Sequence, residues 1–334
     1  MFSSFPICGP RRRLGVRPAR RHTMGEAAFE RFDAKSTAEA VVAGEDLRGL
    51  EVLVTGANAG IGLATAEALA GAGARVWLAG RRPEALATAV DKIRRRHPKA
   101  LLECLTLDLA SLASIRAGAE AFTAPRCDIL IANAGLVTSR FETTAEGLES
   151  TVGVCHFGHA ALLRLLMPKL LLAPSPRVIM VSSESHRTPA RLAFHRFPLK
   201  ASQFKGLVAY GQAKLCNVLF AKALQRRYGG AGLMACALHP GALVTTSIGR
   251  DAPLLRWLVR LAQPFTKSPS QGAATTVLAA VHRPASDLAG AYLSHCRPVP
   301  CSKEAGSAEV ADRLWAQTES WLTEHGLDPW PPLP

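Results

Sequence analysis

Short apolar runs alternate with longer segments of helical periodicity along most of the chain. The apolar runs predict strands at residues 51–55, 75–79, 101–106, 128–132, 177–182, 234–238 and 290–293. The segments between them predict helices at residues 61–72, 84–97, 111–123, 146–172, 204–228, 268–282 and 308–325. Strands that alternate with helices of this length form a parallel sheet with right-handed crossovers. The pattern therefore predicts an α/β fold with a single doubly wound parallel sheet flanked by helices.

Two stretches, residues 187–203 and 241–267, interrupt the alternation. No Gly/Ser-rich linker divides the chain, so these stretches do not mark a domain boundary. In a doubly wound sheet, long irregular segments beyond the carboxyl ends of strands usually cover the ligand crevice. We expect both stretches to shape a substrate pocket.

The first predicted strand leads directly into a glycine-rich turn. Gly56, Gly60 and Gly62 follow Thr55 with the spacing G-x-x-x-G-x-G, and an Ala- and Leu-rich helix comes next. Strand, glycine turn and helix are the order in which a dinucleotide pyrophosphate binds at a helix N-terminus. The missing side chains let backbone N–H groups approach the phosphates. A tight turn without a ligand is the alternative.

The end of the second predicted strand bears on the choice of cofactor. Proteins that select NAD usually have an acid there, which binds the ribose 2′-hydroxyl. This chain has Gly80, Arg81 and Arg82 instead. An arginine can bind a 2′-phosphate through two parallel hydrogen bonds. The sequence therefore favours NADP(H); two solvated surface arginines, with NAD(H) as the cofactor, are the alternative.

Tyr210 and Lys214 lie four residues apart in the fifth predicted helix, so both side chains project from the same helix face. A nearby ammonium stabilises a phenolate, which prepares a tyrosine for general acid–base chemistry. Many helices have this spacing by chance, but the glycine turn upstream supports a catalytic interpretation of this pair.

Composition narrows the class of protein. With 48% hydrophobic and 20% charged residues, the 334-residue chain has the composition of a globular protein that buries a large core. Six arginines precede the first acid, Glu26, so about +8 of the net charge of +14 belongs to the rest of the chain. A moderately basic body suits an anionic cofactor, and no nucleic-acid-binding motif is present.

Cysteine usage and hydropathy indicate the cellular compartment of the protein. The eight cysteines form no C-x-x-C pair and no secretory signal precedes them, so reduced thiols in an intracellular protein are expected. The longest apolar stretch, residues 160–173, contains Arg164, Pro168 and Lys169, which argues against a transmembrane span.

Both ends of the chain differ from its middle. Residues 1–46 are predicted to be a basic, loosely ordered leader, and residues 326–334 a Pro-rich tail. The first 25 residues are rich in Arg and free of acids before Glu26, like a mitochondrial transit peptide. A cytoplasmic location is expected, with a mitochondrial one as the alternative; a disordered leader would explain the same composition.

Five motifs occur in one order: Thr55-Gly-x-x-x-Gly-x-Gly62, Asn133-Ala-Gly135, Val181-Ser-Ser183, Tyr210-x-x-x-Lys214 and Pro240-Gly241. In this order they resemble the short-chain dehydrogenase/reductase family, and the resemblance covers residues 47–325. Finer features, such as Pro264-Phe-Thr-Lys267, resemble its retinol dehydrogenase-like and WW-domain-containing members. The first tryptophan is Trp77, so binding of partners through WW domains is not expected.

The resemblance implies a Rossmann-type oxidoreductase that moves a hydride between nicotinamide and a carbonyl or alcohol carbon. Tyr210 would be the acid/base, Lys214 would support it and hold the nicotinamide ribose, and Ser183 would hydrogen-bond the substrate oxygen. Ser182 would be a structural neighbour. A strand-end cap is the alternative role for Ser183.

The resemblance also implies a cofactor-binding set. Asp108 would contact the adenine, although a helix N-cap would use the same residue. Thr245 would contact the carboxamide, with Thr246 as a close competitor. The full set is Thr55, Gly56, Asn58, Gly60, Ile61, Gly62, Arg81, Asp108, Leu109, Asn133, Ala134, Gly135, Tyr210, Lys214, Pro240, Gly241 and Thr245.

One residue departs from the family pattern. Cys155 occupies the position of an Asn that supports a water-linked proton relay to the lysine, partly through its main chain. A thiol is a weak hydrogen-bonding group, so a side-chain relay would be lost while a backbone relay could survive. Cys155 and His159 without further ligands are a poor case for a metal site.

Two functions follow from these observations. The first is an NADP(H)-dependent oxidoreductase for a lipophilic alcohol or carbonyl, such as a steroid, retinoid or lipid aldehyde. The second is a dinucleotide-binding scaffold or regulatory protein with little turnover. A homodimer formed through the fourth and fifth helices is possible, because residues 160–172 are apolar; packing of this stripe on its own sheet is the alternative.

Overall fold

The computed structural model describes residues 29–188, 191–192, 194, 198–241 and 267–333. Within these ranges the chain forms one sheet with the strand order β3-β2-β1-β4-β5-β6-β7-β8. The strands are β1 Glu51–Thr55, β2 Arg75–Gly80, β3 Leu101–Thr106, β4 Ile129–Ala132, β5 Arg177–Val181, β6 Met234–His239, β7 Tyr292–Ser294 and β8 Arg297–Pro298. Strands β1 to β7 are parallel, which confirms the predicted doubly wound sheet.

Strand β8 was not predicted. It pairs antiparallel to β7, and the turn between them consists of His295 and Cys296 with φ values of 54° and 62°. Two successive residues with positive φ match the right-handed twist of a hairpin, which explains why this short turn closes the edge of the sheet.

The helices cover both faces of the sheet. They are α1 Ala38–Val42, α2 Gly60–Gly71, α3 Pro83–Arg96, α4 Leu112–Ala121, α5 Ser150–Val152, α6 Gly158–Leu171, α7 Gly206–Tyr228, α8 Pro269–Val281 and α9 Ala308–Glu324. Among the described residues, no helix combines the length and the apolar character that a membrane crossing needs.

Two apolar clusters hold these layers together. In β1 the side chains alternate: Leu53 belongs to one cluster, and Val52 and Val54 to the other. The first cluster contains residues of α4, α6, α7 and α9, and the second contains residues of α1, α2, α3 and α8. Because both faces are covered, the central strands are apolar at nearly every position, which is why they were recognisable from the sequence.

The second half of the predicted leader is part of the fold. Helix α1 is capped by Thr37, whose side chain accepts the N–H of Ala40, and it buries Ala38 and Val41. The N–H of Ala38 also donates to Ser270 Oγ at 3.1 Å, which joins α1 to α8. The expectation of a loosely ordered segment up to residue 46 is therefore wrong for α1: two apolar residues are enough to dock one short helix.

The predicted helix at residues 146–172 is interrupted. It begins at Ser150, where the Glu149 carboxylate accepts the N–H groups of Thr151 and Val152, and it continues as a π-helical turn, Gly153–Phe157, before α6. Cys155 lies in this turn. Such turns are inserted residues within a helix and are frequent at functional sites.

The tail packs against the helices instead of standing apart. The Trp330 ring lies 4.7 Å from that of Trp315, and the Tyr228 hydroxyl donates to the Pro331 carbonyl at 2.9 Å. Arg164 on α6 donates to the Leu327 carbonyl at 3.0 Å. Helix α9 and the tail therefore cover the outer faces of α6 and α7, the two helices considered for a homodimer.

Candidate active site

A cleft of about 550 Å³ opens at the carboxyl ends of β1, β2, β4 and β5, where the strand order reverses. The predicted residues that line it are Thr55, Gly56, Asn58, Gly60, Ile61, Gly62, Arg81, Asp108, Leu109, Asn133, Ala134, Gly135, Tyr210, Lys214 and Pro240. Ser183 and Gly241 do not line the cleft, and Thr245 and Thr246 lie outside the described residues. The sheet thus brings segments separated by more than a hundred residues to one site.

The glycine turn depends on close packing. Gly56 and Gly60 have φ values of 67° and 57°, in the left-handed region that favours glycine. A Cβ at Gly62 would lie 2.3 Å from the Gly56 carbonyl oxygen and 2.5 Å from Asn133 Nδ2. Ala59, the N-cap of α2, makes no side-chain capping bond, so its side chain leaves the first N–H groups of α2 uncapped. The turn can therefore bring backbone donors close to an anion.

Thr55 connects β1 with the end of β4. Its Oγ1 accepts the N–H groups of Asn133 and Ala134, both at 3.0 Å, and Asn133 Nδ2 donates to the Thr55 carbonyl at 2.8 Å. These bonds fix the two strand ends that form the floor of the cleft. They also give Asn133 a structural role beside its predicted contact with the cofactor.

His159 links this floor to the π-helical turn. Its Nδ1 lies 3.1 Å from the Cys155 carbonyl and its Nε2 lies 2.8 Å from Thr55 Oγ1. A carbonyl only accepts, so Nδ1 is the protonated nitrogen. Burial lowers the pKa of His159 to about 4, so the ring is neutral near pH 7 and Nε2 accepts the Thr55 hydroxyl proton. A continuous chain of hydrogen bonds thus runs from Cys155 through His159 and Thr55 to Asn133.

Tyr210 and Lys214 lie on α7 as predicted. The Lys214 ammonium is 5.5 Å from the centre of the Tyr210 ring and donates to the Val181 carbonyl at 2.9 Å. Only 3% of Lys214 is exposed, so its charge is held inside the cleft wall. A Cβ at Gly135 would lie 3.2 Å from Lys214 Nζ and 3.4 Å from Cys155 Sγ, which places ammonium and thiol around the same small space.

The two serines after β5 differ in orientation. Ser182 lines the cleft and its hydroxyl donates to the Lys214 carbonyl at 2.6 Å. Ser183 Oγ lies 3.2 Å from Ser185 Oγ, accepts the Ser185 N–H and caps a short 3₁₀ helix, Glu184–Arg187. The strand-end cap considered for Ser183 is thus present in this structure, and its bond to a substrate oxygen stays a prediction.

The turn after Ser183 is held by residues that the sequence analysis did not single out. His186 Nδ1 donates to the Ser183 carbonyl at 2.8 Å, and His186 Nε2 accepts the Ser302 N–H at 3.1 Å. A Cβ at Gly211 would lie 1.7 Å from the Thr188 carbonyl oxygen. A glycine directly after a tyrosine inside a predicted helix was the available signal for this contact.

The remaining predicted contacts are Asp108, Arg81 and Gly241. Asp108 lines the cleft and its Oδ1 also accepts the Ala110 N–H at 3.0 Å, so it has the turn-capping role as well. Arg81 is exposed at the cleft, and among the described residues it has no carboxylate partner. Gly241, with φ of 115°, packs against the Lys267 side chain.

Known proteins resemble the chain along most of its length. The family model for short chain dehydrogenase matches residues 51–195. The WW domain-containing oxidoreductase of Homo sapiens is 40% identical over 303 residues, which are 88% of this chain and 73% of that protein. Retinol dehydrogenase 12 of Mus musculus is 39% identical over 80% of this chain and 84% of its own length.

Among solved structures, an uncharacterised protein from Mycobacterium paratuberculosis superposes with a TM-score of 0.71 at 31% identity, over 89% of this chain and 99% of the other. Sequence and fold agree, and both agree with the motifs that line the cleft. The chain belongs to the short-chain dehydrogenase/reductase family and is an oxidoreductase with an NAD(P)-binding Rossmann-type fold.

Proposed function

We propose that this protein is an NADP(H)-dependent oxidoreductase that acts on a lipophilic alcohol or carbonyl compound, with Tyr210 as the acid/base. The observation that supports it most is the convergence of Tyr210, Lys214 and the glycine turn on one cleft. A bound nicotinamide supplies the hydride for reduction or accepts it in oxidation.

The cleft fits a dinucleotide. A Cβ at Gly56 would lie 3.0 Å from the Ala134 Cα, so the turn leaves no room for a side chain where phosphates would approach. The N-terminal end of α2 offers N–H groups and a favourable dipole to an anion. Gly56, Gly60 and Gly62 would hold the pyrophosphate, and Asp108 and Leu109 would lie beside the adenine.

NADP(H) is favoured by the charge at the end of β2. Gly80 lies where an acid would bind a ribose 2′-hydroxyl, and the exposed guanidinium of Arg81 lines the cleft beside it. A 2′-phosphate would pair with this guanidinium through charge-assisted hydrogen bonds. NAD(H) is the alternative, since an arginine at this position does not repel a ribose 2′-hydroxyl.

The proton chemistry follows from the groups around Tyr210. In reduction, the phenol of Tyr210 protonates the developing alkoxide, and the Lys214 ammonium stabilises the resulting phenolate. Ser183 would steady the substrate oxygen after its hydroxyl turns away from Ser185. The hydroxyl of Ser182 already donates to the Lys214 carbonyl, which suits a structural role.

The lipophilic substrate class rests on the cleft wall and on the relatives. Leu136, Val137 and Val154 line the cleft together with Tyr210. Retinol dehydrogenase 12, whose name specifies an apolar alcohol, is one of the relatives. A steroid, retinoid or lipid aldehyde would match such a wall.

A second function, dinucleotide binding with little turnover, is favoured by Cys155. Its carbonyl already accepts the His159 N–H, and its thiol faces the same space as the Lys214 ammonium. A carbonyl has a second lone pair, so a water-linked relay through the main chain would still be open to it.

The test is a panel of lipophilic and short-chain carbonyl compounds, followed through the loss of NADPH absorbance. We expect turnover with lipophilic members and a decrease of about 10²- to 10⁴-fold in the turnover of Tyr210→Phe, which should still bind NADPH. NADPH binding without any turnover that depends on Tyr210 would contradict the enzyme proposal. If turnover is missing, a sharp gain in rate in Cys155→Asn would identify Cys155 as the reason for its loss.

The contacts of α9 and the tail bear on the predicted homodimer. Since α9 and the tail cover α6 and α7, we infer that the chain does not pair through these helices. An intracellular location is retained as a proposal. The Arg-rich segment behind the mitochondrial alternative lies outside the described residues.

A further inference from the structure

A second cavity, of about 440 Å³, lies at the amino-terminal edge of the sheet, away from the cleft. Its walls come from the starts of β4 and β5, the segment before β1, and the end of α8. Because the strands are parallel, this edge is opposite the one that forms the cleft. Nothing in the proposed reaction uses it.

Three arginines, Arg126, Arg177 and Arg283, line this cavity together with one carboxylate, Asp128. Both oxygens of Asp128 already have a partner: Oδ1 accepts Arg126 Nε at 2.9 Å and Oδ2 accepts the Glu51 N–H at 2.8 Å. Its charge offsets that of Arg126. The guanidinium groups of Arg177 and Arg283 are left as an excess of positive charge in the cavity wall.

Arg177 is the more unusual of the two. Only 7% of it is exposed, and its guanidinium donates to the Ala279 carbonyl at 3.1 Å. Burial lowers the pKa of Arg177 to about 10; the charge of Arg283 acts in the same direction, and the charges of Cys236 and Glu45 oppose it. Among the described residues, neither arginine has an ion-pair partner within 4.0 Å. The carboxylate of Glu45 acts on Arg177 only from beyond ion-pair distance, so the buried charge is partly offset and an anion in direct contact would be bound favourably here.

Apart from Ser175, the rest of the wall is apolar. Leu47, Leu50, Ile129, Val281 and Ala285 contribute to it. The volume lies within the usual range of about 300–1,000 Å³ for small-molecule pockets. The planar fork of a guanidinium matches a carboxylate through two parallel hydrogen bonds.

We propose that this cavity binds a small organic anion with a carboxylate head, held by Arg177 and Arg283, and an aliphatic body against the apolar wall. The site is separate from the cleft and does not depend on the proposed oxidoreductase activity.

The test is a calorimetric titration of the full chain with octanoate, in the presence of saturating NADPH so that the cleft is occupied. We expect one saturable site with a Kd on the order of 1 mM or tighter, as suits a ligand of this size. Arg283→Gln, at an exposed position, should weaken binding by about tenfold because one charge-assisted pair is lost. Arg177→Lys should weaken it as well, since an ammonium keeps the charge but loses the fork.

Arg95→Gln is the matched control, because it removes one charge from an exposed residue of α3 outside the cavity. The absence of saturable binding to the folded wild-type chain would overturn the proposal. So would an equal loss of affinity in Arg95→Gln, which would indicate a general effect of charge. Inorganic phosphate is the second probe: if it binds as tightly as octanoate, the apolar wall contributes nothing and the assigned ligand class is wrong.

Discussion

Two parts of the site are held in different ways: the glycine turn with the end of β4, which is the proposed cofactor half, and the turn after Ser183, which is the proposed substrate half. In the cofactor half, the glycine turn and the end of β4 are joined through Thr55 and Asn133 within a few residues of two neighbouring strands. In the substrate half, the turn at Ser183 is held by His186, which bonds to Ser302 far along the chain. The first half is therefore preorganised by the sheet itself, whereas the second depends on contacts between distant segments.

This difference indicates where turnover can be changed without loss of cofactor binding. Disturbing the cofactor half should remove cofactor binding and turnover together. Disturbing the substrate half should remove turnover alone. Two glycines, one in each half, allow the comparison to be made with the same substitution.

Gly62→Ala should have the largest effect. Its new Cβ would lie 2.3 Å from the Gly56 carbonyl oxygen, which is backbone and cannot rotate away. We expect a loss of about 1–3 kcal/mol in the free energy of unfolding, as is typical of overpacking, together with loss of NADPH binding. Denaturant titration and fluorescence titration with NADPH measure the two effects. Gly230→Ala is the control, because no atom lies within 4 Å of a Cβ there.

Gly211→Ala should lower turnover strongly and spare cofactor binding. The added Cβ would lie 1.7 Å from the Thr188 carbonyl oxygen and 2.9 Å from that of Ser185, so the turn after Ser183 must move. A displacement of about 1 Å at a catalytic group can lower the rate by about 10²-fold. The rate with a lipophilic carbonyl substrate should fall, whereas the Kd for NADPH should stay the same. If NADPH affinity falls as far as the rate, the two halves are not independent.

Arg81→Glu should reverse the cofactor preference. A carboxylate there would repel a 2′-phosphate and could accept a ribose hydroxyl, so NADPH affinity should fall by about tenfold or more and NADH affinity should rise. The ratio of the two dissociation constants is the measurement. An unchanged ratio would show that Arg81 is a solvated surface residue. Arg95→Glu, which changes the net charge by the same two units at an exposed position outside the cleft, is the control.

Acid should weaken the fold through its buried histidines. Burial lowers the pKa of His159 from 6.5 to about 4. The folded state therefore favours the neutral ring, and the stability that this provides is fully present above pH 6.5. It is lost as the pH falls from 6.5 toward about 4. A single histidine of this kind should cost roughly 2 kcal/mol between about pH 7 and about pH 5. His156 and His239, with pKa values lowered by burial to about 3 and about 4, should add to the loss.

The measurement is the free energy of unfolding in urea at both pH values. His159→Gln should be less stable near pH 7, because a glutamine cannot bond to both Cys155 and Thr55, but it should lose less stability on acidification. A slope equal to that of the wild type would show that His159 does not contribute to the acid dependence.

The sequence predicted the elements that depend on local pattern. Strands β1 to β6 and helices such as α7 begin and end within a few residues of their predicted bounds, because burial on both faces leaves continuous apolar runs. The i,i+4 spacing of Tyr210 and Lys214 is local, and their convergence with the glycine turn follows from the predicted parallel sheet, which brings the carboxyl ends of its strands to one edge. Helix α1 was missed because its apolar face has only two buried residues.

Taken alone, the sequence determined the family, the doubly wound sheet, and the placement of Tyr210 and Lys214 on one helix face. The tertiary structure decided the orientation of Ser183, the protonated nitrogen of His159, the π-helical turn at Cys155 and the covering of α6 and α7 by the tail. The physical reason is the range of the interactions. Periodicity records which face of an element is buried, whereas a hydroxyl or an imidazole orients toward partners that only the folded chain brings within hydrogen-bond distance.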